Sequence, residues 1–190
     1  MPIIENNPAV AGASGTLGNT LVYKQYNGKT IIANKGKKRE KLSEKQEEQV
    51  GRFKQATKYA KRELQKPEMK SLYAKGINKA KFIMSAYNVA IADFLTPPEI
   101  KEIDTKDYTG EAGQLIRVRA TDDFKVKSVT ITLADAEGEV IETGEAQERG
   151  KKGLWRYTTN IRRLAVKGTV VTAVAKDYPG NTTTQVFTML

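Results

Sequence analysis

Residues 67–95 decide the fold and read PEMKSLYAKGINKAKFIMSAYNVAIADFL. Apolar and small residues recur in this stretch at alternating spacings of four and three: Met69, Tyr73, Gly76, Ala80, Ile83, Tyr87, Ala90 and Phe94. This heptad spacing places them on one side of a helix. We therefore predict one helix about 43 Å long, at 1.5 Å per residue, that ends at the two prolines Pro97 and Pro98.

A second helix is predicted just before this one. Ser43 and Gln46 form a capping box, and the apolar stripe that follows is Val50, Phe53, Ala56, Ala60 and Leu64. Pro67 interrupts helical hydrogen bonding, so the chain makes either an antiparallel turn at 65–68, which we favour, or one kinked rod. The apolar side chains at the end of the longer helix must be buried by another element. The β-hairpin described next, the β domain or a second copy of the chain could bury them, so homo-oligomerisation through 67–95 is one option.

The residues before the helices predict a short arm and a hairpin. Residues 1–18 are rich in Gly, Pro, Asn and small residues, which is typical of a flexible arm. Residues 20–34 contain two β-prone runs separated by Asn27-Gly28. Both turn residues tolerate the positive φ angles of a type I′ turn, so this pattern predicts a β-hairpin.

From Pro98 onward, short alternating runs of apolar and polar residues indicate a β-sandwich. Ile116, Val118 and Ala120 alternate with polar residues, for example, which gives one dry face and one wet face. The predicted strands lie near 99–103, 114–121, 127–134, 139–143, 154–159, 169–175 and 183–188.

This half of the chain resembles a known family. Ala175-Lys176-Asp177-Tyr178-Pro179-Gly180-Asn181-Thr182 looks like the A-x-D-x-x-G-N turn that precedes the last strand of bacterial immunoglobulin-like domains. Ala120-Thr121-Asp122-Asp123 and Trp155-Arg156-Tyr157-Thr158 also fit that pattern. The resemblance covers about residues 98–190, and the first half of the chain resembles no family. The resemblance of residues 98–190 implies an immunoglobulin-like fold and an architectural or binding role, as in spacers, adhesive modules and parts of phage or injection-type particles.

Together these features predict an α+β protein with two domains. The first combines the β-hairpin with an antiparallel helical hairpin, and the second is an all-β immunoglobulin-like sandwich of about seven strands. The predicted segments are a flexible arm at 1–18, a basic hairpin and two-helix domain at 19–96, and the sandwich at 97–190.

Composition argues against most enzyme mechanisms. The 190 residues include no Cys and no His, which removes the thiolate nucleophile, the commonest metal ligands and the usual proton-transfer group near neutral pH. We therefore expect a protein that is not an enzyme and has no cofactor. The amino terminus lacks a basic start and a long apolar run, and no segment is apolar enough for a membrane span, so we expect a cytoplasmic protein, compatible with a place in an assembled particle.

Charge is strongly segregated along the chain. Residues 1–95 contain 18 Lys and Arg against 8 Asp and Glu, whereas residues 96–190 contain 14 of each. Such segregation indicates a surface for an acidic partner, either an acidic protein face or nucleic acid, through residues 20–81. The residues assigned to this surface are Lys29, Lys35, Lys37, Lys38, Arg39, Lys41, Arg52, Lys58 and Arg62.

Two functional hypotheses are compatible with an acidic partner. The first is a structural or adaptor protein whose basic half docks in an assembly and whose sandwich is a spacer or recognition head. The alternative is a sequence-tolerant nucleic-acid-binding protein, in which Lys and Arg neutralise phosphates.

Three loop aspartates complete the analysis of possible sites. Asp122, Asp123 and Asp177 are expected at one end of the sandwich, where a Ca²⁺ ion is conceivable. Loop aspartates more often hydrogen-bond their own backbone. We therefore assign no metal ligands from the sequence and leave the ion near Asp122 and Asp177 open.

Overall fold

The computed structural model describes residues 3–4, 8–26, 28–36, 42–78, 85–150, 152–162 and 166–189. The chain forms two compact units, Met1–Glu47 and Glu48–Leu190. The first contains a small sheet, and the second contains most of the helical residues and a β-sandwich. The boundary between these units lies inside the predicted segment 19–96, and the predicted division into 1–18, 19–96 and 97–190 stays a prediction.

The first unit is built on a four-stranded antiparallel sheet. Its strands are β1 (Ile3–Ile4), β2 (Gly15–Leu17), β3 (Leu21–Tyr26) and β4 (Lys29–Asn34), arranged in the order β1-β4-β3-β2. The predicted hairpin is confirmed, because β3 pairs with β4 from Leu21 opposite Asn34 to Tyr26 opposite Lys29. Gly28 has a φ of 75°, as the turn requires, and Asn27 lies outside the described residues. The segment expected to be an arm supplies the two outer strands of this sheet.

Three helices occur in the described residues: α1 (Glu44–Glu63), α2 (Pro67–Ala74) and α3 (Ala86–Leu95). The single helix over 67–95 is therefore wrong. The chain leaves α2 at Lys75 and Gly76, and Ser85 starts α3 as an extended N-cap residue whose hydroxyl accepts a hydrogen bond from the Asn88 N–H. Ala80 and Ile83, two residues of the predicted seam, lie outside the described part of the chain.

Close packing at Gly76 accompanies this break. A Cβ atom at Gly76 would lie 2.8 Å from Val89 Cγ1 and 2.8 Å from Phe124 Cδ2, so the chain passes where no side chain fits. Glycine is also one of the weakest helix formers. The heptad position that looked like part of an apolar seam is thus a place where backbone meets two neighbouring side chains.

The chain turns between α1 and α2, so they do not form one straight rod, and their antiparallel packing stays a prediction. The hydroxyl groups of Tyr59 and Tyr73 lie 2.8 Å apart, whereas residues 14 positions apart on one straight helix would be separated by about 21 Å. The capping interaction at the start of α1 is also present, since the Ser43 N–H donates to Gln46 Oε1.

The apolar stripe predicted for α1 is only partly correct. Ala56 and Ala60 are buried, together with Tyr59 and Glu63, but Val50 and Phe53 are 43% and 50% exposed. The buried face is therefore rotated away from the two large apolar side chains.

The seven strands predicted after Pro98 are present, and they form one nearly closed antiparallel sheet, which we call the sandwich. Its strands are β5 (Glu99–Asp104), β6 (Leu115–Thr121), β7 (Val126–Ala134), β8 (Val140–Glu148), β9 (Leu154–Thr158), β10 (Val170–Asp177) and β11 (Thr182–Thr188). They follow the order β11-β10-β7-β8-β9-β6-β5, and every neighbouring pair is antiparallel. The sheet curves so that its two outer strands, β5 and β11, lie close to each other. The Thr183 hydroxyl donates a hydrogen bond of 2.5 Å to the Pro98 carbonyl.

Two hydrophobic clusters lie within the second unit. The sandwich core includes Ile116, Val118, Ile131, Leu133 and Trp155, all on inward-facing strand positions. A helical core is formed by Tyr59, Ala60, Tyr73, Val89, Ala90 and Phe124, with Phe94, Ile91, Tyr87 and Tyr178 packed against it.

The apolar end of the predicted helical seam is buried in the helical core. Phe124 and Tyr178 come from the sandwich, so the β domain of the same chain covers the apolar side of α3. Self-association through this region therefore stays a prediction that the fold does not require. No helix in the described ranges is long and apolar enough to cross a membrane.

Candidate functional site

The predicted polyanion-binding residues fall into three groups. Lys37, Lys38, Arg39 and Lys41 lie outside the described residues. Lys29 and Lys35 are exposed in the first unit, where Lys35 Nζ donates to Asn19 Oδ1 across 3.1 Å. Arg52, Lys58 and Arg62 are exposed on α1, and only Lys58 and Arg62 share one helix face, one turn apart.

The two arginines of α1 make contacts within the fold. Arg52 Nη2 donates to the Leu95 carbonyl across 3.1 Å at the end of α3. Arg62 Nε lies 2.9 Å from Glu63 Oε1, and the guanidinium is 5.8 Å from the centre of the Tyr59 ring. Both arginines therefore help to hold α1 in place, although their side chains remain exposed to solvent.

Glu63 explains the local charge balance at the end of α1. Its carboxylate is largely buried and accepts from Lys66 Nζ at 2.8 Å as well as from Arg62. The Lys66 ammonium, together with the Arg62 guanidinium, holds the pKa of Glu63 below its ordinary value. Arg62 of α1 and Lys66 of the following turn therefore both form ion pairs with the largely buried carboxylate of Glu63.

The outer face of α1 carries cations of a different kind. Lys54, Lys58 and Lys61 are spaced four and three residues apart, so they lie on one side of the helix. All three are exposed, and none forms an ion pair with a residue that the structure describes. The exposed side chains of Val50 and Phe53 lie near them on the helix surface. We call these five residues the α1 outer face.

A second feature lies where the helical core meets the sandwich. Asp93 from α3, Asp122 after β6 and Asp177 at the end of β10 each place a carboxylate oxygen within 4.8 Å of the other two. Asp93 and Asp177 are fully buried, and Asp122 is half-buried. We call these three residues the carboxylate cluster.

Hydrogen bonds orient each carboxylate. The Tyr73 hydroxyl donates to Asp93 Oδ2 across 2.6 Å, and the Phe124 N–H donates to Asp122 Oδ1 across 2.8 Å. Asp93 Oδ1 and Asp122 Oδ2 are buried and have no hydrogen-bond donor among the other described residues, and the two carboxyl groups interact with each other. The cluster thus contains two oriented carboxyl groups whose remaining oxygens can share a proton or bind a cation.

Asp177 has a different and fully satisfied environment. Its Oδ1 accepts the N–H groups of Gly180 and Asn181, and its Oδ2 accepts from Asn181 Nδ2. Asn181 Nδ2 also lies 3.1 Å from the carbonyl of Phe94, so the turn between β10 and β11 is tied to the end of α3. This is the aspartate that the A-x-D-x-x-G-N pattern contains, and in the structure it caps the turn.

Burial governs the electrostatics of the cluster. It raises the pKa of Asp93 to about 8, and the nearby charges of Asp122 and Asp177 push in the same direction against the Tyr73 hydrogen bond. Burial likewise raises the pKa of Asp122. No Lys or Arg in the described ranges forms an ion pair with any of the three carboxylates.

The tyrosines beside the cluster are neutral donors at physiological pH. Burial raises the pKa of Tyr59 to about 12 and raises that of Tyr73 further above its ordinary value. A cleft of about 280 Å³ borders the cluster and is lined by Gly76, Asn78, Asp93 and Asp123, among others.

The sequence anticipated part of this arrangement. Asp122 and Asp177 do converge, but Asp123 is exposed and lines the cleft instead of joining the cluster. Asp93 was missed because it lies between apolar residues of the helical stretch. One signal was available: Asp93 is the only ionisable side chain of α3 besides Tyr87, and it is the only acidic one.

Comparisons with known proteins place the chain in no family. No family model matches the sequence, and no curated protein is significantly similar to it. Among solved structures, CopC from Methylosinus trichosporium OB3b matches 47% of this chain and 88% of its own, with 18% identity and a TM-score of 0.37.

Two further structures match about half of the chain. An engineered protein has 22% identity and a TM-score of 0.34 over 50% of this chain, which spans only 20% of that protein's length. A lipoprotein from Bacteroides thetaiotaomicron has 17% identity and a TM-score of 0.27 over 50% of this chain and 78% of its own. The coordinates themselves show an α+β protein in which helices pack on a seven-stranded antiparallel sheet.

Proposed function

We propose that this protein is a non-enzymatic structural or adaptor protein whose α1 outer face docks on an acidic protein surface within an assembly. In this proposal the sandwich is a bacterial immunoglobulin-like domain that serves as spacer or recognition head. The seven antiparallel strands and the Asp177 cap in the A-x-D-x-x-G-N turn support that domain assignment.

One observation carries the docking proposal. Lys54, Lys58 and Lys61 are exposed on one side of α1 without an ion pair in the described part of the chain. Lysines that the fold used for its own stability would be expected to contact carboxylates, as Lys66 just after α1 contacts Glu63. Unpaired cations on one rigid helix face instead complement an acidic surface, where they favour association rate and orientation.

The composition of the α1 outer face favours a protein partner over nucleic acid. Val50 and Phe53 expose apolar area beside the lysines, and protein interfaces combine an apolar, aromatic-rich centre with a polar rim. Arg52 and Arg62, the side chains best suited to bidentate phosphate contacts, are engaged with Leu95 and Glu63. Nucleic acid is accordingly an outcome to be tested and not the primary proposal.

The test uses the full chain. Separating the halves at residue 96 would divide the helical core from Phe124 and Tyr178. We compare Lys54→Gln/Lys58→Gln/Lys61→Gln with a control of equal charge change on the sandwich, Lys106→Gln/Lys127→Gln/Lys167→Gln, since those lysines are also exposed. Polyglutamate and a duplex DNA of mixed sequence are the two probes, each titrated with salt.

The α1 variant should bind polyglutamate about tenfold more weakly than the control variant, since three exposed charge contacts contribute roughly 0.5 kcal/mol each. Equal affinities of the two variants would refute the α1 outer face as the docking site. DNA binding that exceeds polyglutamate binding, falls steeply with salt and is lost in the α1 variant would replace the proposal with the nucleic-acid alternative.

A further inference from the structure

We propose that the carboxylate cluster of Asp93, Asp122 and Asp177 binds a hard divalent cation, with Ca²⁺ as the best fit. The sequence alone assigned no metal ligand to these residues, and the inclusion of Asp93 from α3 changes that assignment. The site would link the helical layer to two loops of the sandwich, independently of the α1 outer face.

The spacing of the three carboxylates fits one ion. Their oxygens lie within 4.8 Å of one another. Calcium–oxygen distances are about 2.3–2.6 Å, so two oxygens on opposite sides of one Ca²⁺ are separated by roughly 5 Å. The three side chains can therefore contact a common ion without a rearrangement of the backbone.

The unused carboxylate oxygens are a second observation. Asp93 is fully buried, yet its Oδ1 and the buried Oδ2 of Asp122 receive no hydrogen bond from a described residue outside this pair of carboxyl groups. A buried acceptor without a partner is costly and calls for an ion, a water or a proton. Tyr73 and the Phe124 N–H already hold the other oxygen of each carboxylate, so the two remaining oxygens either share a proton or bind an ion.

Charge balance also calls for an additional positive charge. Three carboxylates meet where two are fully buried, and no Lys or Arg of the described ranges pairs with them. Isolated buried charges are strongly disfavoured unless paired or bound to a metal. Either a proton shared between carboxylates or a cation must therefore neutralise the cluster.

The donor set selects the class of cation. All three donors are carboxylate oxygens, which favour Ca²⁺, Mg²⁺ and Mn²⁺ over metals that prefer nitrogen or sulfur. Three protein carboxylates on one ion suit the larger and less rigid coordination of Ca²⁺, whereas Mg²⁺ usually binds through one or two carboxylates and keeps several waters. The adjoining cleft of about 280 Å³ has room for the waters that complete the coordination.

The first experiment measures Ca²⁺ binding to the chelator-treated full chain by calorimetry and thermal unfolding. The key variant is Asp122→Asn, because the amide oxygen can still accept from the Phe124 N–H while the charge is removed. Glu145→Gln is the matched control, since Glu145 is an exposed carboxylate of β8 outside the cluster.

We expect Ca²⁺ at 100 times its dissociation constant to raise the unfolding temperature by about 5–10 °C in the wild type and in Glu145→Gln. Asp122→Asn should show neither this shift nor the binding heat. The absence of both signals in the wild type at millimolar Ca²⁺ would overturn the proposal and leave a shared proton as the occupant. A shift of equal size in Asp122→Asn would overturn the placement of the site.

A second measurement does not depend on how the variants fold. Tb³⁺ replaces Ca²⁺ at oxygen sites and emits when a nearby aromatic side chain is excited. Tyr73 contacts Asp93, and Tyr59 contacts Tyr73, so the wild type should give strong tyrosine-sensitised Tb³⁺ emission that Ca²⁺ displaces. Emission that Ca²⁺ cannot displace would count against a calcium-type site.

Discussion

The Tyr73 hydroxyl donates a hydrogen bond of 2.6 Å to Asp93 Oδ2 in the interior of the second unit. Tyr73 belongs to α2 and Asp93 to α3, and the hydroxyl of Tyr59 in α1 lies 2.8 Å from that of Tyr73. One chain of polar contacts therefore joins all three helices to the carboxylate cluster. Because these groups are buried, the loss of one leaves its partner without water as a substitute.

Tyr73→Phe should destabilise the second unit by about 1–3 kcal/mol, because the variant removes the only described hydrogen-bond donor to Asp93 Oδ2. The ring itself stays, so little packing is lost. Chemical denaturation measures the change. Tyr87→Phe is the control, since the Tyr87 hydroxyl makes no hydrogen bond with a described residue. Equal effects of the two variants would mean that the Tyr73–Asp93 contact contributes little.

Two glycines should respond to alanine in opposite directions. At Gly76 a Cβ atom would lie 2.8 Å from both Val89 and Phe124, so Gly76→Ala should cost about 1–3 kcal/mol through overpacking. At Gly51, inside α1, nothing lies within 4 Å of the added atom, and Gly51→Ala should stabilise by about 0.5–1 kcal/mol.

The free energy of unfolding of both glycine variants is measured under the same conditions. Stabilisation by Gly76→Ala would show that the close approach of Gly76 to Val89 and Phe124 is absent in solution. Close packing would then no longer explain why α2 ends before Gly76.

The stability of the chelator-treated protein should fall as the pH rises from about 4 toward 8. Burial raises the pKa of Asp93 to about 8 in the folded chain, above an unfolded value near 4. The folded state therefore binds the proton more tightly than the unfolded state. The stability that this proton contributes is fully present below the unfolded pKa and is lost as the pH rises to the folded pKa. The loss is at most about 1.4 kcal/mol per pH unit for this group.

Asp93→Asn is the control for this pH dependence. Asp122, Asp177 and Tyr73 face Asp93 from the neighbouring elements and remain in the variant. Its unfolding free energy should vary less with pH than that of the wild type, measured by denaturation between pH 5 and 8. Wild-type stability that increases over this range would contradict the raised pKa of Asp93.

The sandwich could be predicted from the sequence because a period of two is a local property. Val129, Ile131 and Leu133 all point into the core, with polar residues between them, and they do so in the sequence as in the structure. The hairpin at Gly28 was equally local, since its turn residues are neighbours in the chain.

The helical region was harder to predict because its limits depend on distant residues. Gly76 fits a heptad in the sequence, but Val89 and Phe124 occupy the space beside it. Asp93 looked like part of an apolar helix, and its partners Asp122 and Asp177 lie 29 and 84 residues further along the chain. Contacts at such separations are set by the fold and leave no short-range pattern.

The α1 outer face can be tested by acetylation of single lysines in the full chain, with and without bound polyglutamate. The docking proposal predicts that Lys54, Lys58 and Lys61 become protected on binding, while Lys106, Lys127 and Lys167 of the sandwich react as before. Equal protection of both sets, or protection of the sandwich lysines alone, would contradict docking through α1.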